Sequence, residues 1–230
     1  MDIKDFEALE AKRLERNLAL AEKGVKFVDI KRTYIDEGVT VGAGTLIYPD
    51  VYLEGDTSIG ENSELTAGTR IVDSKIGNET KVMSSTIIES SVGDRTNVGP
   101  YAYMRPNSHV GDDCKVGDFV ELKNSTLGNG TKAAHLTYIG DCDVGERVNF
   151  GCGVVLVNYD GSKKYRSTIG DDVFVGCNVN IVSPVNIADG AYVAAGGTIT
   201  KDVPSGALHI ARAEEVIKEN WADKKGLYKR

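Results

Sequence analysis

The chain has 230 residues, with 27 Lys and Arg against 34 Asp and Glu and a net charge of −7 near neutral pH. That acidity argues against a nucleic-acid or anionic-membrane partner, and no apolar run reaches the length of a transmembrane span. No charged-then-apolar leader opens the sequence, aromatic residues are only 7%, and 26 glycines describe a turn-rich chain of about one domain.

Residues 4–23 read as a helix with Leu14, Leu18 and Ala21 on one face, stopped at Gly24. From Ile35 onward an aliphatic residue returns at every sixth position: Ile35, Val41, Ile47, Leu53, Ile59, Leu65, Ile71. The spacing resumes as Val98, Met104, Val110, Val116, Leu122, and again from Ile169 through Val175, Ile181, Ile187 and Val193 to Ile199. Twelve Ile/Val/Leu-Gly pairs lie between Val41-Gly42 and Val175-Gly176. Four residues after the aliphatic position sits a small side chain: Thr45, Ser63, Cys114, Val148, Val173, Val179, Val185, Ala191.

Six is a multiple of the strand period of two and of no whole number of helical turns, so the repeat is extended. Three hexads close a triangular coil, which predicts an all-β solenoid, a parallel β-helix of roughly nine to ten coils over 35–206. After it, Ala213–Trp221 reads as a short helix followed by the basic tail Lys224, Lys225, Lys229 and Arg230. The expected organisation is therefore helix and linker in 1–30, solenoid in 31–208, and helix and tail in 209–230. The two helices are expected to cover the solenoid ends.

The interruptions carry the polar chemistry. Steps of five replace six at 71→76, 122→127 and 139→144, and a step of thirteen leads from Leu156 to Ile169 where two hexads need twelve. That segment holds Asn158-Tyr159-Asp160-Gly161-Ser162-Lys163-Lys164-Tyr165-Arg166, a turn with clustered cations in an acidic chain. A loop thrown from a rigid scaffold is a natural place for binding groups. Upstream lie Arg105 before Pro106, Lys123 after a strand, and His135, one of three histidines. From the residues alone, His135 stands open between a structural and a functional role. The four cysteines (Cys114, Cys142, Cys152, Cys177) form no CxxC pair, and Cys114 and Cys177 are taken to fill small-residue positions. They are expected to be reduced packing residues of a cytoplasmic protein, binding no metal.

At these residues the chain resembles a known family. The segments are Arg105-Pro106, 116–123 (Val-Gly-Asp-Phe-Val-Glu-Leu-Lys), 132–141 (Lys-Ala-Ala-His-Leu-Thr-Tyr-Ile-Gly-Asp), 157–161 (Val-Asn-Tyr-Asp-Gly) and 169–176 (Ile-Gly-Asp-Asp-Val-Phe-Val-Gly). They look like the acetyltransferase half of the bacterial bifunctional enzymes that join N-acetylglucosamine-1-phosphate uridyltransferase to glucosamine-1-phosphate N-acetyltransferase. Hexapeptides are common to many acyltransferases; His-Leu-Thr-Tyr-x-Gly-Asp together with Asn-Tyr-Asp-Gly is far more specific. The similarity extends to Tyr34-Ile35-Asp36 and to 71–77, so it spans nearly the whole chain.

The resemblance implies a left-handed β-helix, a homotrimer with sites between subunits, acetyl-coenzyme A as co-substrate and no metal for the transfer. The left hand opposes the usual rule for parallel crossovers, so it comes from the family and not from the period. In the family's terms His135 matches the catalytic base. Arg105, Lys123, Tyr138, Asn149 and Lys164 match positions that hold the sugar phosphate. Cys152, Asn158, Tyr159, Cys177, Ala195 and Arg212 match acetyl-coenzyme A contacts. Cys152 stands where alanine is common and Cys177 where serine is common, so a hydroxyl contact is expected to be lost at 177. No counterpart of the preceding nucleotide-binding half, with its glycine-rich phosphate loop, is visible. Use of UTP is therefore not expected; Met1 leading straight into a helix favours a stand-alone enzyme over a fragment.

The chemistry accounts for these residue types. A protonated amine must lose a proton before it attacks a thioester, and histidine, with an ordinary pKa of about 6.5, suits that task. Arg105, Lys123 and Lys164 suit a phosphate, the arginine binding two oxygens at once. Two other acceptor readings remain: another amino sugar or amine, or a non-catalytic assembly module with an eroded site. A hexapeptide-repeat carbonic anhydrase needs zinc histidines five apart; here they stand 26 and 74 positions apart.

Overall fold

The computed structural model describes residues 2–227, and the chain from Lys26 to His209 winds into a parallel β-solenoid. As far as Thr198–Ile199, successive strands go to three different sheets in strict rotation, so each coil lays one short strand on each face of a prism. The first face has 11 strands, from Lys26–Phe27 to Leu208–His209; the second has 10, from Thr33–Ile35 to Thr198–Ile199; the third has nine, from Thr40–Val41 to Asn186–Ile187. Leu46 pairs with Glu64, Glu64 with Lys81 and Lys81 with Asn97, so successive coils consume 18, 17 and 16 residues. The steps of five thus tighten a coil without disturbing the register of the next.

The six-residue positions face inward. Ile47, Leu53, Leu65, Ile71, Met104, Val116, Leu122, Val175, Ile181 and Val193 are fully buried, each worth roughly 1.5–3 kcal/mol of apolar transfer. The small positions form a second, polar line inside the wall. Thr45 Oγ1 donates to Gly60 O at 2.7 Å and accepts from Ser63 N at 3.1 Å. Ser63, Thr80 and Thr96 repeat the pattern on the following coils. Cys114 takes the next rung, its Sγ 3.2 Å from Gly128 O, and its burial pushes the thiol pKa up. In these coils the small hydroxyl or thiol accounts for an inward-facing carbonyl at the corner; farther along, Val148, Val173 and Ala191 fill the position with apolar side chains.

Three expectations are corrected. Between Leu156 and Ile169 the chain passes only from the second face to the third, a step that Leu122→Leu127 and Ile139→Val144 make in five. The thirteen residues therefore replace one hexad rather than two, and the coil from Asn149 to its partner Phe174 takes 25. Length alone matched two hexads by coincidence. The N-terminal helix, α1 (Ile3–Glu22), buries Asn17 and Leu20, while Leu18 is exposed and Leu14 and Ala21 are half-buried. Asn17 wins the contact because its amide donates to Ile30 O and Thr33 O at 2.9 and 3.0 Å, carbonyls that an aliphatic side chain would leave unpaired.

Near the C-terminus, 213–218 is not helical, and helix α2 spans only Trp221–Lys224. Val216 and Ile217 are exposed, and so short a helix without an apolar face to bury is marginal. Lys229 and Arg230 lie outside the described residues. Among the described residues no helix is long and apolar enough to cross a membrane.

Candidate active site

The polar residues picked out from the sequence gather on the second face and its two bordering edges. On that face Leu122 points inward while Glu121 and Lys123 point out. Strand register then stacks Tyr103, Glu121 and Tyr138 in one outward column, and continues Lys123 into Gly140 in the next. Arg105 precedes Lys123 in that second column, its N–H bonded to Leu122 O at 2.9 Å.

Two of the three cations here are held by acids. Arg105 Nη1 donates to Glu121 Oε1 at 3.0 Å, a bond that raises the arginine pKa further. Lys123 Nζ donates to both oxygens of Asp141, at 3.0 and 2.9 Å. The Asp141 side chain is only 8% exposed. Burial opposes its ionisation, but hydrogen bonds from Asn124 and Lys123, with the lysine charge and the Asn158 amide, outweigh it and hold the pKa below the usual carboxylate value. Lys164 has no acid of its own among the described residues; its pKa is lowered by contact with Lys123, then by the Lys123 charge, and also by Arg105. Three cations therefore converge around two carboxylates, leaving local positive charge without a counter-ion. Gly140 makes room for this network. A Cβ there would lie 2.3 Å from the Tyr138 hydroxyl and 2.8 Å from the Asn158 amide nitrogen.

The loop after Val157 is a small hairpin. Tyr159 pairs with Lys164 in an antiparallel bridge, and Gly161 takes φ +97° at its tip. Asp160 holds it closed, accepting from Ser162 N and Lys163 N at 2.8 Å each and from the Tyr165 hydroxyl at 2.9 Å; these bonds depress its pKa. The cation cluster read from the sequence divides. Lys163 sits 5.4 Å from the Tyr165 ring, Arg166 pairs with Asp143 and donates to Asn124 O at 2.8 Å, and Lys164 comes up against Lys123.

The opposite edge, where the first face turns into the second, carries the histidine. Asp118 and His135 are register partners on adjacent coils, with His135 Nδ1 2.8 Å from Asp118 Oδ1. One coil up, Gly153 N donates to His135 O; above that Asn178 N donates to Cys152 O and Gly196 N to Cys177 O, and Arg212 Nη1 reaches Ala195 O at 2.9 Å. Asp118, His135, Cys152, Cys177, Ala195 and Arg212 thus climb a single edge of the prism. Cys177 is exposed and Cys152 half-buried, so only Cys114 and Cys142 are packing cysteines; the 177 position belongs to a corner turn, whose side chain points out.

One chain does not assemble all the expected contacts. Asn158 and Tyr159 leave the far edge of the second face, six and seven residues beyond Cys152; at about 3.3 Å per residue that is on the order of 20 Å of extended chain. Asn149 points out from the first face, around the corner from Tyr138. Asp118, Glu121 and Asp141 were given no role from the sequence. Their signal was the coil length: Asp118 lies 17 residues before His135, and Asp141 18 after Lys123, one coil in each case.

No protein-family model matches the chain. Sequence comparison finds bifunctional GlmU proteins. That of Clostridium beijerinckii is 52% identical over 97% of this chain and 49% of its own length, and that of Clostridium acetobutylicum 53% identical over 90% and 46%. The chain thus spans about half the length of the curated relatives it matches. Among solved structures, UDP-N-acetylglucosamine acyltransferases share the fold at low identity. The Francisella novicida enzyme has a TM-score of 0.55 at 19% identity, covering 78% of this chain and 65% of that one. The Arabidopsis enzyme has 0.56 at 16%, covering 81% and 65%. By sequence, then, this chain is similar to about half the length of the bifunctional GlmU proteins, and it shares its β-solenoid fold with the two UDP-N-acetylglucosamine acyltransferases.

Proposed function

We propose that this protein transfers the acetyl group of acetyl-coenzyme A to the 2-amino group of α-D-glucosamine 1-phosphate. The observation that carries the reading is the uncompensated charge of Lys164 beside Lys123 and Arg105, on the face bordered by His135. A phosphate dianion supplies the missing counter-charge, and the planar guanidinium of Arg105 can bind two of its oxygens. Its arrival competes with Glu121 and Asp141 for the same cations and opposes the lowering of the Lys164 pKa. Tyr138, between the cations and the histidine edge, lies where the sugar ring of such a ligand would run.

His135 takes a proton from the substrate ammonium, and the freed amine attacks the thioester carbonyl. The tetrahedral intermediate sheds its second nitrogen proton to solvent and collapses with loss of the coenzyme thiolate, which recovers the first proton from the imidazolium. Direct transfer needs no acyl-enzyme. Cys152, Cys177, Ala195 and Arg212 line the edge above His135 and are assigned to the coenzyme, together with Asn158 and Tyr159 from a neighbouring copy. The division of these contacts over two edges supports a homotrimer with sites between subunits. So does a column of exposed Tyr101, Phe119 and Leu136, all with φ between +47° and +59°, in the left-handed region that bulky residues occupy only at a cost. Four cysteines without a disulfide suit a cytoplasmic enzyme.

The test is thiol release from acetyl-coenzyme A with glucosamine 1-phosphate, for the wild type and His135→Ala. The expected loss in the variant is roughly 10²–10⁴ in kcat. Wild-type turnover on another amine but not on this sugar phosphate would overturn the substrate, and equal turnover by the variant would remove His135 from the base role. A monomer mass by light scattering would overturn the shared site.

A further inference from the structure

We propose that Asp118 is the positioning residue of His135: it holds the ring by Nδ1 and leaves Nε2 as the nitrogen that takes the amine proton. This rests on the acetyl-transfer reading above. Asp118 and His135 end two neighbouring strands, Lys115–Asp118 and Lys132–His135, and face each other in register. Leu136 N donates to Asp118 O at 3.0 Å, so the backbones beneath the two side chains are tied together. The side-chain contact is 2.8 Å, to Nδ1 and not Nε2.

The protonation follows from the partners. The hydrogen bond from His135 lowers the Asp118 pKa first, helped by a backbone bond and the charge of Lys115, so the carboxyl is ionised near neutral pH. An ionised carboxylate can only accept, which places a hydrogen on Nδ1. Nε2 of the neutral ring then carries the lone pair, and the ring plane is set by a bond across a rigid ladder. The other charged or titratable groups around the pair do not replace this contact. Lys115 lies on the strand of Asp118 and Lys132 on that of His135, in register with each other. Cys152 stands in the turn above, and Glu121 is bonded to Arg105. Both members of the pair are open to solvent in a single chain, at 55% and 37% of their side chains. The carboxylate is therefore expected to act mainly through orientation and tautomer rather than through a strong field.

The experiment follows the ring nitrogens of His135 by ¹⁵N-detected NMR in the full chain, for wild type, Asp118→Ala and Asp118→Asn, alongside kinetics with acetyl-coenzyme A and glucosamine 1-phosphate. In the wild type the neutral ring is expected to carry its proton on Nδ1. In Asp118→Ala that preference is lost and the neutral ring divides its proton between Nδ1 and Nε2. kcat drops roughly tenfold or more, by analogy with groups that orient ligating histidines, while both KM values stay within about twofold. Asp118→Asn keeps an acceptor oxygen, so it retains the Nδ1 tautomer and recovers most of kcat. An unchanged tautomer in Asp118→Ala, a loss confined to KM, or equal losses in both variants would each overturn the assignment. A wild type inactive on the amino-sugar phosphate sinks the acetyl-transfer reading itself; an active wild type with an indifferent Asp118→Ala sinks only the role of Asp118.

Discussion

The coils below Met104 and the coils from Arg105 to Arg166 share one architecture and treat charge in opposite ways. In the lower stretch, outward neighbours on adjacent coils carry opposite charges: Arg70 with Glu54 at 2.6 Å, Lys81 with Glu64 at 3.0 Å. In the upper stretch Arg105 and Lys123 stack in one column, and Lys164 is brought in from the loop to join them. Like charges on adjacent strands are destabilising, so a scaffold selected only for stability avoids them. The upper stretch tolerates them by placing acids beside them: Glu121 in the neighbouring column and the nearly buried Asp141. A repetitive fold thus shows its working surface where the charge alternation between coils fails, even when the inward aliphatic pattern continues undisturbed.

That contrast can be broken at several points. Leu65→Ala, in the regular stretch, is expected to cost about 2–5 kcal/mol in denaturant unfolding, leaving kcat of the folded fraction unchanged; a selective loss of activity would deny the division into scaffold and site. Asp141→Asn removes the charge that balances Lys123 and is expected to cost roughly 3 kcal/mol at neutral pH, as for one partner of a buried pair.

The sign with pH follows from the depressed carboxyl. Its folded pKa lies below the unfolded value of about 3.9, so its contribution is complete above that value and is lost as pH falls through the folded pKa. The stability gap between wild type and Asp141→Asn should stay level from neutral pH down to about 5 and shrink on further acidification. A gap that widens in acid would contradict the arrangement. The smallest effect belongs to the exposed corner pairs. Arg95 bonds Asp113 at 2.8 Å between adjacent coils, yet Arg95→Ala should leave the thermal melting midpoint nearly unchanged, since solvent screens such pairs.

Much of this was legible in the chain. The aliphatic period placed nearly every inward residue because a period of six leaves a strand no choice of face. The loop after Val157 was visible as foreign composition, and His135, Lys123 and Lys164 stood out by type. Its size was not legible, because thirteen residues fit two hexads as well as they fit one hexad and a hairpin. The face of α1 was missed because Asn17 is buried for its amide, which a hydrophobicity pattern cannot register. The helix expected at Ala213–Trp221 did not form, since periodicity cannot say whether a surface exists to receive an apolar face.

What the sequence determined by itself is therefore the local geometry: strand, turn and inward side, each settled within six residues by sterics and burial. Which residues meet was decided only by winding, because coils of 16, 17, 18 or 25 residues set who stands above whom. Asp118 under His135, and Asp141 beside Lys123 and Asn158, are products of that register. No spacing rule of the hexad predicts them; the lengths of the corners do.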